Sequence, residues 1–126
     1  MIKVVVFDAY GTLFDVHSIS ALAEQLYPGQ GAAISALWRD KQIEYTRLVS
    51  MSDPQGAQGS RYYQSFWDLT RAALGYTLAR LKLVHSQDHE DALMAQYARL
   101  TAFPENLGVL QKLRTLGLPT AILSNG

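Results

Sequence analysis

The chain has 126 residues, 48% hydrophobic and 17% charged, with no cysteine; this suits one soluble globular domain at most and excludes a disulfide framework or a thiolate metal site. With 11 basic and 11 acidic residues the formal net charge is zero, which leaves no electrostatic footprint for nucleic acid or an anionic membrane. No apolar run approaches the ~20 residues of a membrane span, and the start Met1-Ile2-Lys3-Val4 lacks the features of a signal peptide, so no membrane partner and a cytoplasmic location are expected.

The first element is the apolar run Val4-Val5-Val6-Phe7, which reads as a buried parallel strand. Asp8 then stands at the strand's carboxyl end, and Gly11 turns the chain straight afterwards. Ligands of open α/β sheets bind just outside such ends, where a carboxylate can act as nucleophile, metal ligand or general base. Taken alone, a strand-end Asp more often caps the next turn. Ser18 or Ser20 is expected to cap a short helix with Ile19, Leu22 and Leu26 inward, ended near Pro28-Gly29. Residues 32–49 read as a longer amphipathic helix, because Ile34, Leu37, Trp38, Tyr45 and Leu48 follow a 3.6-residue period. Residues 50–60, with Pro54, Gly56 and Gly59 among serines, read as a loop.

A helix is expected again over 61–81, with Phe66, Leu69, Ala73, Leu74 and Leu78 along one side. Ser86 or Asp88 caps another through Leu93, Met94, Tyr97 and Leu100. Pro104 and Glu105 open a last helix. It carries Leu107, Leu110, Leu113 and Leu116 and is ended by Gly117 and Pro119. Residues 120–123 form the second buried strand, with Ser124-Asn125-Gly126 at its carboxyl end.

The heptapeptide Phe7-Asp8-Ala9-Tyr10-Gly11-Thr12-Leu13 resembles the nucleophile motif of the haloacid dehalogenase superfamily, usually Asp-x-Asp-Gly-Thr. Tyr10 stands where the phosphatases of that superfamily carry a second Asp. That Asp protonates a basic leaving alkoxide, whereas a halide leaves without a proton. Its loss also removes a hard oxygen ligand from any Mg²⁺ site, and Tyr10 offers an aromatic wall instead. The variant Asp-Ala-Tyr-Gly-Thr-Leu resembles the L-2-haloacid dehalogenase branch. The layout of strand, helical insert, helix and strand resembles the same fold. It implies an α/β, Rossmann-like core with a helical cap: 1–14 and 104–126 as a partial core with only two strands of its parallel sheet, and 15–103 as the cap. The resemblance covers the whole chain but only the first half or so of a complete member.

Further residues carry the resemblance. Leu123-Ser124-Asn125-Gly126 resembles the second motif, which implies that Ser124 and nearby backbone N–H groups hold the substrate carboxylate, with Asn125 a second donor to the halide. Leu37-Trp38-Arg39, followed by Gln42, Glu44 and Tyr45, resembles the cap-helix segment of L-2-haloacid dehalogenases. Arg39 matches the arginine that faces the nucleophile, and its permanently charged fork of donors suits a departing halide. Ile43, four residues on, shares that face. The competing reading pairs Arg39 with Asp40 or Glu44 on a solvated face. Asp40 is a departure, since related enzymes more often have Gln; it either burdens the halide site with negative charge or points to solvent. Thr12 is expected to bond the Asp8 carboxylate or its loop. Phe66 resembles an apolar pocket residue, with ordinary helix core the alternative. Tyr62, Tyr63 and Trp67 read as cap core or a subunit contact. His17, His85 and His89 lack triad or metal partners at sensible spacing.

The resemblance implies hydrolysis of L-2-haloalkanoic acids to D-2-hydroxy acids through an ester on Asp8, with inversion and with neither cofactor nor metal. It implies a small 2-haloalkanoic acid and halide as partners, and a homodimer through the cap helices. Alternatives are another hydrolase of the superfamily, a phosphatase or an opener of small 2-carboxylate rings, and a non-catalytic interaction fragment. Family members carry a later Lys and a later acidic motif that residues 1–126 lack, so the chain reads as a fragment or a truncation. Two parallel strands cannot cover both faces and edges of a sheet. Residues 1–126 alone are therefore expected to be aggregation-prone or molten, and an ordered structure to pair these strands with others.

Overall fold

A computed structural model describes residues 1–53 and 61–124. The apolar run at the start forms strand β1 (Val5–Phe7), which pairs in parallel with β4 (Thr120–Ile122) in the register Val5↔Thr120, Val6↔Ala121, Phe7↔Ile122. The ladder extends by one bond at each end, Val5 N–H to the Pro119 carbonyl at 3.0 Å and Leu123 N–H to the Phe7 carbonyl at 2.9 Å. Both carboxyl ends therefore open on the same side, with Asp8 and Ser124 just beyond them.

Between β1 and β4 the chain leaves the sheet and returns to it. A short antiparallel pair, β2 (Phe14–Asp15) and β3 (Thr101–Ala102), clasps the two crossings. Phe103 N–H donates to the Leu13 carbonyl at 3.2 Å, and the Asn106 amide donates to the same carbonyl at 2.6 Å.

Within the insert, a 3₁₀ turn (Val16–Ile19) leads into helix α1 (Ser20–Leu26). Asp15 caps the turn, accepting from His17 N–H at 2.9 Å; neither Ser18 nor Ser20 is the cap, and the Ser18 hydroxyl donates back to the Asp15 carbonyl at 2.8 Å. Helix α2 (Gly31–Met51) runs slightly beyond the predicted 32–49. Gly31 is required by contact: a Cβ there would meet the Ser20 carbonyl oxygen at 2.6 Å, so only glycine lets α1 and α2 approach this closely. Helix α3 (Phe66–Arg80) begins five residues later than expected, because Ser65 ends the preceding turn and caps it, accepting from Asp68 N–H at 3.0 Å. Helix α4 (Gln87–Tyr97) is capped by Ser86 and stops before Leu100. Helix α5 (Asn106–Thr115) ends in a Schellman pair, Leu118 N–H to the Leu113 carbonyl and Gly117 N–H to the Arg114 carbonyl, each 3.0 Å.

The core lies where α1 to α4 meet. Ile19, Ala23, Ile34, Trp38, Ala73, Leu74, Leu78, Leu93 and Met94 are buried there, and a fully buried side chain of the larger kinds contributes about 1.5–3 kcal/mol. Two departures from the predicted stripes matter. Leu48 is 60% exposed, whereas the polar Gln42 is 0% exposed. Thr70 and Thr77 are also buried in α3, each hydroxyl donating one turn back, to the Phe66 carbonyl at 2.6 Å and the Ala73 carbonyl at 2.8 Å.

Around the sheet the expectation of burial fails. Val6 is 52% and Ile122 60% exposed, and α5 buries none of its residues. Among the described residues β1 and β4 pair with each other and with no further strand; Val5, Phe7, Leu110 and Leu113 are half-buried, and the other apolar side chains of the strands and of α5 stay exposed. No helix of the described residues is long and apolar enough to cross a membrane.

Candidate active site

The loop after β1 is held by its own backbone. The Ala9 carbonyl accepts from the N–H groups of Thr12, Leu13 and Phe14 at 3.4, 2.9 and 3.0 Å, and Gly11 N–H donates to the Phe14 carbonyl at 2.8 Å. Gly11 has φ +89°, with open space where a Cβ would be, so conformation and not crowding requires glycine. This tight loop fixes Asp8 at the strand end and turns Tyr10 beneath the helical insert.

A cavity of ≈ 380 Å³ opens there. Asp8, Tyr10 and Ser124 line it from the strand ends, and Phe66 from the first residue of α3. Helix α2 supplies Arg39, Ile43, Thr46 and Arg47, positions spaced as one face of a helix. The structure thus brings together Asp8, Tyr10, Arg39, Ile43, Phe66 and Ser124. Thr12 stands apart: it is exposed and outside the lining. Its N–H bonds Ala9 and its carbonyl accepts from the Asn106 amide at 3.1 Å. No hydrogen bond joins its hydroxyl to Asp8 among the described residues, so its contact is with the loop. Asn125 lies outside the described residues. Thr46 and Arg47 were missed; the signal for them was the continuation of the Arg39 and Ile43 face by one more turn.

The aromatic wall is continuous with the core. Tyr10 lies 5.0 Å from the Phe66 ring and 6.0 Å from Tyr97, and Tyr97 lies 5.1 Å from Trp38. Phe66 therefore serves as both cavity wall and helix packing.

Arg39 does not follow the solvated-face reading. Among the described residues it has no carboxylate partner; Nη1 donates to Gln42 Oε1 at 2.6 Å. Glu44 pairs with Lys41 instead, at 2.5 Å. Asp40 is exposed and lines a neighbouring groove with Glu44, not the cavity. Gln42 Oε1 also accepts from the Tyr97 hydroxyl at 2.8 Å, and Gln42 Nε2 donates to Thr70 Oγ1 at 2.7 Å. Burial pushes the Tyr97 phenol up, keeping it a donor. A polar residue four positions after Trp38, on the buried stripe, was the sequence's only trace of this network.

The histidines lie away from the cavity. His17 Nδ1 meets Ser35 Oγ at 3.0 Å, His85 Nε2 meets Glu90 Oε2 at 2.6 Å, and His89 packs edge-on against Tyr27 at 5.1 Å. Tyr62, Tyr63 and Trp67 are exposed and form no part of the core. Among the described residues the cavity is lined by one carboxylate, Asp8, by two guanidinium groups, Arg39 and Arg47, and by the apolar side chains of Ile43 and Phe66. Such an arrangement can drive a carboxylate onto a carbon while a cation receives the departing anion.

Comparison with known proteins identifies the family. The haloacid dehalogenase-like hydrolase family matches residues 2–126. The chain is 44% identical over 125 residues to (S)-2-haloacid dehalogenase H-109 of Pseudomonas putida, covering 99% of this chain and 52% of that protein. Among solved structures, the L-2-haloacid dehalogenase RSc1362 superposes with a TM-score of 0.91 at 57% identity, over 99% of this chain and 53% of that one. The L-2-haloacid dehalogenase from Xanthobacter autotrophicus with chloropropionic acid covalently bound superposes with a TM-score of 0.85 at 43% identity, over 100% of this chain and 47% of its own. The chain spans about half the length of the relatives it matches. On the motif at β1, the fold and these matches, the chain belongs to the haloacid dehalogenase-like hydrolases.

Proposed function

We propose that the protein carrying this chain is an (S)-2-haloacid dehalogenase. The observation that carries this reading is the single cavity in which Asp8 from the strand end, the Tyr10 wall and Arg39 from α2 converge. Asp8 attacks C2 of an L-2-haloalkanoic acid in line with the carbon–halogen bond. The new C–O bond forms as the C–X bond breaks, halide departs toward Arg39, and the configuration at C2 inverts. Water then adds to the Asp8 ester carbonyl, releasing a D-2-hydroxy acid and restoring the carboxylate. Covalent catalysis divides one difficult displacement into two easier ones. The relative with chloropropionic acid covalently bound supports the covalent step.

In this reading Ser124 and Asn125 hold the substrate carboxylate and halide, Ile43 and Phe66 surround its carbon chain, and Thr12 steadies the Asp8 loop. Residues 15–103 act as a cap over a core formed by 1–14 and 104–126. Metal independence belongs to this reading: among the described residues the lining has one carboxylate, with Tyr10 where a second would stand, fewer hard oxygen ligands than Mg²⁺ takes. A cytoplasmic location and a homodimer through the cap helices belong to the same reading; the exposed rings of Tyr62, Tyr63 and Trp67 supply surface for the dimer.

The test is halide release from L-2-chloropropionate by the protein carrying this chain, with and without excess EDTA. The expected result is equal release in both, with D-2-hydroxypropionate as product. Release lost on chelation and restored by Mg²⁺, or turnover of a phosphate ester or a small-ring 2-carboxylate in place of the haloacid, would overturn it.

A further inference from the structure

We infer that Gln42 is a positioning residue: a neutral, fully buried acceptor that fixes the Arg39 guanidinium beside the cavity without cancelling its charge. The chemistry of this inference rests on the dehalogenase reading, but its geometry does not.

The proton directions in the network leave one arrangement. The Thr70 hydroxyl donates to the Phe66 carbonyl at 2.6 Å, so Thr70 Oγ1 is left to accept, and Gln42 Nε2 donates to it at 2.7 Å. This fixes which end of the Gln42 amide is nitrogen. The oxygen must then face Tyr97 and Arg39, and both are donors: the phenol hydroxyl at 2.8 Å and Nη1 at 2.6 Å. A guanidinium has no acceptor capacity, so the reverse amide orientation would set donor against donor on that side. Helix α2 contributes Gln42 and Arg39, α3 contributes Thr70 and α4 contributes Tyr97, and Gln42 and Thr70 are both 0% exposed. The indole N–H of Trp38 ties the same Thr70 through its carbonyl at 2.8 Å. The chain of bonds therefore runs from the core to the cation, and its far end is the backbone of Phe66, a wall of the same cavity.

Why the residue is Gln and not Glu follows from charge. Arg39 is held by a dipole and remains a net cation. A carboxylate at this position would order Arg39 equally well but neutralise it in a low-dielectric setting. The departing halide would then meet an ion pair in place of a cation.

The test uses the protein carrying this chain, as wild type and as Gln42→Met, Gln42→Glu and Tyr97→Phe. Guanidinium rotation at Arg39 is read by ¹⁵N NMR, and kcat and KM are read with 2-chloro- and 2-bromopropionate. Gln42→Met is expected to speed Arg39 rotation and lower kcat by about 10–10²-fold, the scale of a mispositioned group, with KM changed by less than about threefold. Gln42→Glu is expected to leave Arg39 rotation slow yet lower kcat, more for the chloro than for the bromo substrate. Tyr97→Phe should move both readouts in the direction of Gln42→Met by a smaller amount. Should Gln42→Met fail to fold, the near-isosteric Gln42→Glu and Tyr97→Phe decide the matter. Unchanged Arg39 rotation in Gln42→Met and Tyr97→Phe, or full kcat in Gln42→Glu, would overturn the inference. A wild type that releases no halide would instead defeat the dehalogenase reading, while the rotation data would still judge Gln42.

Discussion

Helices α1 to α4 and the β1, α5 and β4 part of the chain use similar amphipathic material with opposite outcomes. In α3, Leu69, Ala73, Leu74 and Leu78 recur at helical spacing and are all buried. In α5, Leu107, Leu110, Leu113 and Leu116 recur in the same way, and none is buried. The difference shows what hydrophobic periodicity encodes: the face that asks for cover, not the cover itself. In the four-helix part the stripes meet one another, apart from the exposed Leu48 near the end of α2. Beside the two strands, Val4, Val6, Leu107, Leu116, Ile122 and Leu123 are each exposed to solvent, and uncovered apolar side chains of this kind associate with other chains.

The largest expected effect tests this contrast directly. The measurement is urea unfolding of residues 1–126 expressed alone, at a protein concentration low enough to limit association through the open strand side. Trp38→Ala removes a fully buried ring and should cost the α1 to α4 packing about 3–5 kcal/mol. A wild type with no cooperative transition would show the molten state expected of the uncovered strands extending to the helices. Leu107→Ala, from the uncovered helix, should cost less than about 0.5 kcal/mol. Equal losses would mean that α5 is covered in solution.

The second expectation sits where the two regions meet, since the strand side provides Asp8 and the helical side Arg39. Arg39→Lys replaces a fork by a point charge and should lower kcat for halide release by about 10²–10³-fold. A change below about threefold would return Arg39 to a surface role and leave the helical part without a share in the chemistry.

A smaller effect sharpens the account of the helical part alone. Burial pushes the Glu90 carboxyl up, but the hydrogen bonds from His85 and Arg71 outweigh it and hold its pKa below the ordinary glutamate value. A group depressed in the folded state stabilises fully above the unfolded value and loses that contribution as pH falls through the folded one. Melting of α1 to α4, followed by circular dichroism, should therefore weaken below about pH 4.3, and Glu90→Gln should flatten that slope. An unchanged slope would assign the acid sensitivity to other carboxylates.

How legible all this was varies with physical cause. Helices α2 to α5 and strands β1 and β4 announced themselves through periodicity and terminators such as Gly117 and Pro119. The start of α3 was misplaced because a capping serine, Ser65, overrode propensity over 61–64. Strands β2 and β3 are two residues each, too short for alternation to register. Most of the cavity lining followed from the resemblance of short segments to a known family. Gln42 stood within one of those segments, but its role did not follow, because its burial depends on partners from α3 and α4 that no local pattern reveals. The exposure of the strands was hidden for the same reason: it depends on what else packs against them.

The central claim is that Asp8 is the nucleophile. It is tested most directly by a single turnover of L-2-chloropropionate in H₂¹⁸O with the protein carrying this chain in excess, followed by mass spectrometry of the Asp8 peptide and of the product. If an ester forms on Asp8 and water attacks its carbonyl, the heavy oxygen appears in the Asp8 carboxylate and the first hydroxy acid released is unlabelled. Heavy oxygen in the hydroxy acid on that first turnover, with none in Asp8, would contradict the claim and make Asp8 a general base.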